Sequence, residues 1–332
     1  MILLWIKFLI CAAGILFTGY NLSKSGDILA EKLGLSRGLI GFVFLSMATA
    51  FPELITSISA ITIAKSSDLA AGNALGSVYL NLMIIALLDI VQGKGPILLK
   101  VKQNNILYAG LTLISLGVIS LSIILRSEFN IHWGIGNFGI DSLILLIIYF
   151  LGLWIIFQFE KKNKKEKEGK LSYKEISLKS ALFRFSLSFI AIIFLGIWLA
   201  SLGKDIAKAM SWSETLVGTI FLALTTSLPE FAVSLTAFKF AVDMAIGNIL
   251  GANFLDIAIL PICDMFFLKG QLLGYISIAN LITTSLAIIL TSIVIVSLIY
   301  RSRKSFLGMG WGVIAMLTTF ALGSYLLVVV AK

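Results

Sequence analysis

Two stretches, ATAFPELITS at 48–57 and TTSLPEFAVS at 225–234, set a proline beside a glutamate inside apolar runs. Proline lacks a backbone donor and obstructs the carbonyl four residues earlier, so breaks are expected near Ala48–Thr49 and Thr225–Thr226. Each break frees carbonyls next to a carboxylate, Glu53 or Glu230. Carbonyls, hydroxyls and carboxylates are hard oxygen donors suited to Na+ or Ca2+. A lone proline in such a run is more often a structural kink, and a lone glutamate can simply cap the restarted helix. A charged side chain at the centre of a membrane helix costs at least ~2.5–3.5 kcal/mol. Two Pro-Glu pairs, both mid-run, are therefore hard to explain by packing alone.

Two further blocks follow these breaks, GNALGSVYLN at 72–81 and GNILGANFLD at 247–256. Ser77 and Asn81 are four apart and share a helix face; Ala252 and Asp256 hold the same positions in the second block. Gly72, Gly76, Gly247 and Gly251 also recur every four residues, a spacing that lets helices approach closely. Close packing would gather Glu53, Asn81, Glu230 and Asp256. That set has three carboxylates, one amide and nearby hydroxyls, with no sulfur or imidazole, and suits Ca2+ better than zinc or copper. Three carboxylates repel one another, so at least one, foremost Asp256, is expected to carry a proton during part of a working cycle.

The elements that must position these residues are membrane helices. The chain has 332 residues, 59% hydrophobic and 13% charged, with mean hydropathy +1.02. Apolar runs long enough to cross a bilayer recur at 1–22, 38–64, 69–91, 104–125, 140–159, 181–203, 213–238, 244–267, 272–300 and 306–331. The first lacks a basic leader and a small-residue cleavage site and reads as a retained helix. EKKNKKEKEGK at 160–170 opens the main hydrophilic break, which reads as a solvated linker rather than a nucleic-acid patch or lipid-binding arm. Cys11 and Cys263 lie in apolar segments and read as buried small hydrophobes, not a disulfide or zinc pair. The single histidine, His132, reads as a loop residue beside Trp133 rather than a ligand. The net charge of +9 does not indicate nucleic acid, because the basic residues flank the spans.

Placing both termini outside puts Lys24, Lys32, Arg37, Lys94, Lys100, Lys102, the lysines of 161–179, Lys239, Arg301, Arg303 and Lys304 in the cytoplasm. Only Lys7, Lys65, Arg126, Lys204, Lys208, Lys269 and Lys332 then fall on the other side. Positive charge favours the cytoplasmic loops, so this orientation is expected, in a cell membrane. The linker at 160–180 separates a first half, 1–159, from a second, 181–332. Glu53 aligns with Glu230, Asn73 with Asn248, Asn81 with Asp256 and Asp89 with Asp264, at an almost constant offset. Five spans per half invert the second copy. The expected fold is an all-α polytopic membrane protein of ten transmembrane helices in two inverted-topology five-helix repeats.

These motif blocks resemble those of the cation/calcium exchanger superfamily, most of all its sodium/calcium exchangers, and the resemblance spans essentially the whole chain. TSLPE at 226–230 and GNALGS…N at 72–81 match the family motifs closely. The resemblance implies a central site of Glu53, Asn81, Glu230 and Asp256. It also implies that Thr49, Thr226, Ser227 and Ser77 help bind ions, with the Ala223 carbonyl nearby, and that the first and sixth spans form a sliding gate. The chain departs from the pattern at Ala50 and Ala252, where the family has serines, and at Val78 in place of a common asparagine. The repeat counterparts Ser227 and Ser77 are kept. By the family pattern those two serve an outer Na+ site and the alanines an inner one, which would lack two hydroxyls. Carbonyls or water could fill that gap; the sharper reading is altered stoichiometry, with protons replacing some Na+.

The expected function is a secondary antiporter exchanging Ca2+ for Na+ by alternating access, without a resident cofactor, with the lipid bilayer and the transported cations as its partners. Alternatives are an H+-coupled Ca2+/cation exchanger and, less favoured, a passive cation channel. An intramembrane enzyme ranks last, since no second acid–base or nucleophile constellation accompanies the carboxylates.

Overall fold

The computed structural model describes residues 2–32, 46–93, 95–102, 105–129, 131, 133–162, 176–238, 242–303, 305–306 and 308–330. The start of the second expected span, His132 and most of the lysine-rich linker lie outside these. The helices are α1 (Ile2–Lys32), α2 (Ser46–Thr49), α3 (Phe51–Thr62), α4 (Ser67–Gln92), α5 (Asn105–Ser127), α6 (Ile140–Lys162) and α7 (Leu178–Met210). They continue with α8 (Glu214–Thr226), α9 (Leu228–Phe238), α10 (Val242–Phe266), α11 (Asn280–Tyr300) and α12 (Trp311–Val330). Among the described residues, 8 helices are long and apolar enough to cross a membrane, or up to 9 if the bent pair α8–α9 is one span. Two small antiparallel strand pairs interrupt the helical pattern: β1 (Gly134–Ile135) with β2 (Phe138–Gly139), and β3 (Ser305–Phe306) with β4 (Met309–Gly310).

α1 and α7 run well past the apolar segments at 1–22 and 181–203, to 31 and 33 residues. Hydropathy marks where the chain turns polar, not where the helix stops. Beyond Leu22 the α1 helix continues because Ile28 and Leu29 pack against Ala181 and Phe185 of α7. α1 and α7 lie along each other and cover the inner helices. A Cβ on Gly19 of α1 would come within 2.3 Å of Pro229, and one on Gly196 of α7 within 2.8 Å of Ile55. Each long helix is thus seated against a break or the helix that restarts from it.

The core is formed by α4 and α10, the most buried of the candidate spans, at 72% and 78%. They pack on each other, α4 on α11 and α10 on α5. The expected close approach holds at Gly72 and Gly76, where a Cβ would lie 2.9 Å from the Thr215 carbonyl and 2.5 Å from that of Thr219. α8 is π-helical at Val217–Leu222, along this crossing. Gly247 is looser, with the Asn105 side chain at 3.4 Å as its near neighbour.

Hydrogen bonds sort the loops into two ends. At one end Asp264 accepts from Leu272 N (2.5 Å) and from Gly139 N of the first strand pair (2.8 Å). At the other, Asp89 accepts from Ile97 N (2.5 Å) and from Gly310 N of the second strand pair (3.1 Å). Each aspartate closes its own chain segment and holds the strand pair from the other half. A buried ion pair reinforces the first end: Arg126 bonds Asp141 at 2.7 and 3.0 Å and reaches Gln271 at 2.5 Å and the Trp133 carbonyl at 3.1 Å.

Candidate ion-binding site

Both breaks form, one residue nearer the proline than expected. The first lies at Ala50, between α2 and α3; the second at Ser227, between α8 and α9, which bend by 41°. The shift follows from local bonding. Ala50 N still reaches the Ser46 carbonyl at 2.9 Å, and Ser227 N the Ala223 carbonyl at 2.9 Å, so one last helical bond survives before each proline. Pro261 lies inside α10 without ending it.

Glu53 and Glu230 occupy the first turns of the restarted helices, and each side chain is 0% exposed. A helix N-terminus favours negative charge and leaves N–H groups free of helical partners. Asn81 of α4 and Asp256 of α10 are also 0% exposed, and the Asn81 amide donates to Asp256 Oδ2 at 3.2 Å. Glu53, Glu230 and Asp256 lie within electrostatic range of one another. The four residues singled out from the sequence are therefore brought together.

The supporting residues divide. Ser227 Oγ donates to Glu53 Oε1 at 3.4 Å, across the two halves. Thr226 Oγ1 reaches Asn73 Oδ1 at 3.2 Å and the Ala223 carbonyl at 3.3 Å. Thr49 Oγ1 is turned to the Ser46 carbonyl at 3.1 Å, and Ser77 Oγ is buried without a partner. Sequence reasoning used Asn73 and Asn248 only as alignment marks. Asn73 Nδ2 in fact holds Ser57 Oγ at 2.9 Å and the Glu53 carbonyl at 3.1 Å, while Asn248 Nδ2 holds Ser234 Oγ at 3.2 Å. Their shared spacing was the available signal.

Several buried oxygens here have no partner: Glu53 Oε2, both Glu230 oxygens, Asn81 Oδ1, Asp256 Oδ1 and Ser77 Oγ. An unmet buried polar group costs about 1–3 kcal/mol, and more when charged. All are hard donors of the kind that bind Na+ or Ca2+. Among the described residues no three of His, Cys, Asp and Glu converge tightly enough to hold a metal by themselves. A cation held here would draw on amide, hydroxyl and carbonyl oxygens as well. Cys11 and Cys263 are buried and free, as expected of apolar packing.

A set of apolar spans, two of its helices broken around buried carboxylates, defines a polytopic membrane protein with a polar interior. The model of the sodium/calcium exchanger protein family matches residues 3–158 and 180–331, and the chain belongs to that family. It is therefore an integral membrane protein of an ion-exchanging transporter family rather than of an enzyme family. It is 28% identical over 262 residues to the uncharacterized membrane protein MJ0091 of Methanocaldococcus jannaschii, covering 77% of this chain and 80% of that one. It is 23% identical over 326 residues to the sodium/calcium exchanger MaX1 of Methanosarcina acetivorans, covering 79% and 83%. The fold resembles the solved sodium-calcium exchanger NCX_Mj, with a TM-score of 0.60 at 21% identity, over 97% of this chain and 98% of that one.

Proposed function

We propose that the protein exchanges Ca2+ for Na+ by alternating access at the cluster of Glu53, Asn81, Glu230 and Asp256, near the membrane midplane. The observation that carries this reading is the set of wholly buried, unpartnered carboxylate and amide oxygens on four helices. Thr49, Ser77, Thr226, Ser227 and the Ala223 carbonyl would complete the donor set as ions exchange. The two halves, 1–159 and 181–332, act as inverted five-helix repeats, giving ten spans with the broken second span counted. The matched Asp89 and Asp264 bonds at opposite ends support that reading. Both termini lie outside a cell membrane, and the linker at 160–180 faces the cytoplasm. α1 and α7, seated over the two breaks, form the moving gate.

The competing ions share one site, so the fall of Na+ down its gradient drives Ca2+ across. The carboxylates need only be too costly to leave uncompensated for the empty site to resist switching sides. Full-length protein in proteoliposomes should take up Ca2+ only against outwardly directed Na+, with saturation in both ions. Unsaturable flux without exchange would identify a passive pathway instead. H+ coupling is the second reading. It is favoured by Ala50, which offers Glu230 no hydroxyl and leaves both its oxygens unpartnered.

A further inference from the structure

Asn253 of α10 is 0% exposed, and neither its Nδ2 nor its Oδ1 has a partner. Among the described residues it is the one buried amide side chain with both atoms unmet; Asn81, Asn105, Asn248 and Asn280 each lack a partner only at Oδ1. Buried polar groups are almost always satisfied, so an amide unmet at both ends calls for a polar occupant. The matching residue of the other half, Val78, is 0% exposed and joins the apolar core.

Helix geometry relates Asn253 to the ion site. At about 100° per residue, Asp256 lies about 40° from Ala252 on one side and about 60° from Asn253 on the other. Ala252 and Asn253 therefore flank Asp256, as Ser77 and Val78 flank Asn81 on α4. Each half has one polar and one apolar flank, on opposite sides. Ser77 is the polar flank of α4, and its buried hydroxyl is unpartnered; Asn253 is the polar flank of α10.

We propose that Asn253 is a cation-coordinating residue, its amide oxygen serving the monovalent ion, directly or through one water, from the flank of Asp256 opposite Ala252. The inference rests on the exchanger reading above. A neutral oxygen adds no charge, so it helps a monovalent ion while the carboxylates dominate attraction for Ca2+.

The test uses the full-length protein in proteoliposomes, with Na+ and Ca2+ varied separately. Asn253→Val, which copies the first half, should raise the half-maximal Na+ concentration about fivefold, the equivalent of about one lost hydrogen bond. Half-maximal Ca2+ should change by less than about twofold. Adding Ala252→Ser should restore most of the Na+ dependence. Asn253→Ala, which also removes the amide oxygen, gives the same reading if the valine variant does not fold. Unchanged Na+ dependence, equal shifts for both ions without rescue, or wild-type uptake indifferent to Na+ would each overturn the assignment. Glu53→Gln runs in parallel. If it abolishes uptake while Asn253→Val behaves as wild type, only the Asn253 inference fails. Wild-type uptake by Glu53→Gln would remove the exchanger cluster and this inference with it.

Discussion

The two Pro-Glu breaks differ at the residue that caps them, alanine at 50 and serine at 227. Ser227 caps the second break and bonds Glu53 of the first half at 3.4 Å. Ala50 caps the first and has nothing to offer Glu230, whose two oxygens are both unpartnered. The same imbalance recurs beside the breaks. Asn73 has both amide atoms engaged, through Ser57, the Glu53 carbonyl and Thr226. Its counterpart Asn248 keeps an unmet Oδ1, and Thr49 Oγ1 bonds the Ser46 carbonyl. The two buried glutamates thus differ by one long hydroxyl contact, which Glu53 has and Glu230 lacks.

Removing either carboxylate should have the largest effect. Breaking a buried charge set costs about 3 kcal/mol, about a hundredfold in affinity, so Glu53→Gln and Glu230→Gln should each nearly abolish exchange. The variants should remain folded in the membrane, and wild-type Ca2+ flux in both would dissolve the comparison. Asp256→Asn should come next. A proton competes with Ca2+ at a carboxylate crowded by two others, so wild-type binding should weaken as pH falls, and the asparagine variant should respond less. Binding isotherms across pH with the same slope in both proteins would exonerate Asp256.

Giving the poorer side its missing oxygens should have a moderate effect. Ala50→Ser with Ala252→Ser should steepen the Na+ dependence and shift the reversal potential, by more than the two single changes combined, because both act on one site. An unaltered reversal potential would mean that carbonyls or water already complete the site. The smallest change should come from Ser227→Ala, which gives both breaks an alanine cap. Losing one neutral donor to a carboxylate should cost about 1 kcal/mol, about fivefold in ion affinity, read by titrating Ca2+ and Na+ separately.

The central residues were legible because acids and helix breaks are expensive in an apolar span, so Glu53, Glu230 and Asp256 stand out without a structure. The breaks themselves were placed one residue early, since the rule for proline marks the obstructed carbonyl and not the last bond that survives. Asn253 did not stand out from the sequence, because only burial shows that its amide has no partner. The Asp89 and Asp264 clamps were visible as aligned acids, but their strand-pair partners come from the other half of the chain, which local pattern cannot reveal. Helix ends failed for a similar reason: tertiary packing carries α1 and α7 past the point where hydropathy fades.

The most direct test of Ca2+/Na+ exchange is radiolabelled Ca2+ uptake into proteoliposomes, with Na+ and H+ gradients imposed one at a time. Uptake should follow the outward Na+ gradient, stop when Na+ is equal on both sides, and be lost in Glu230→Gln. Uptake driven by the H+ gradient alone, and indifferent to Na+, would contradict the account.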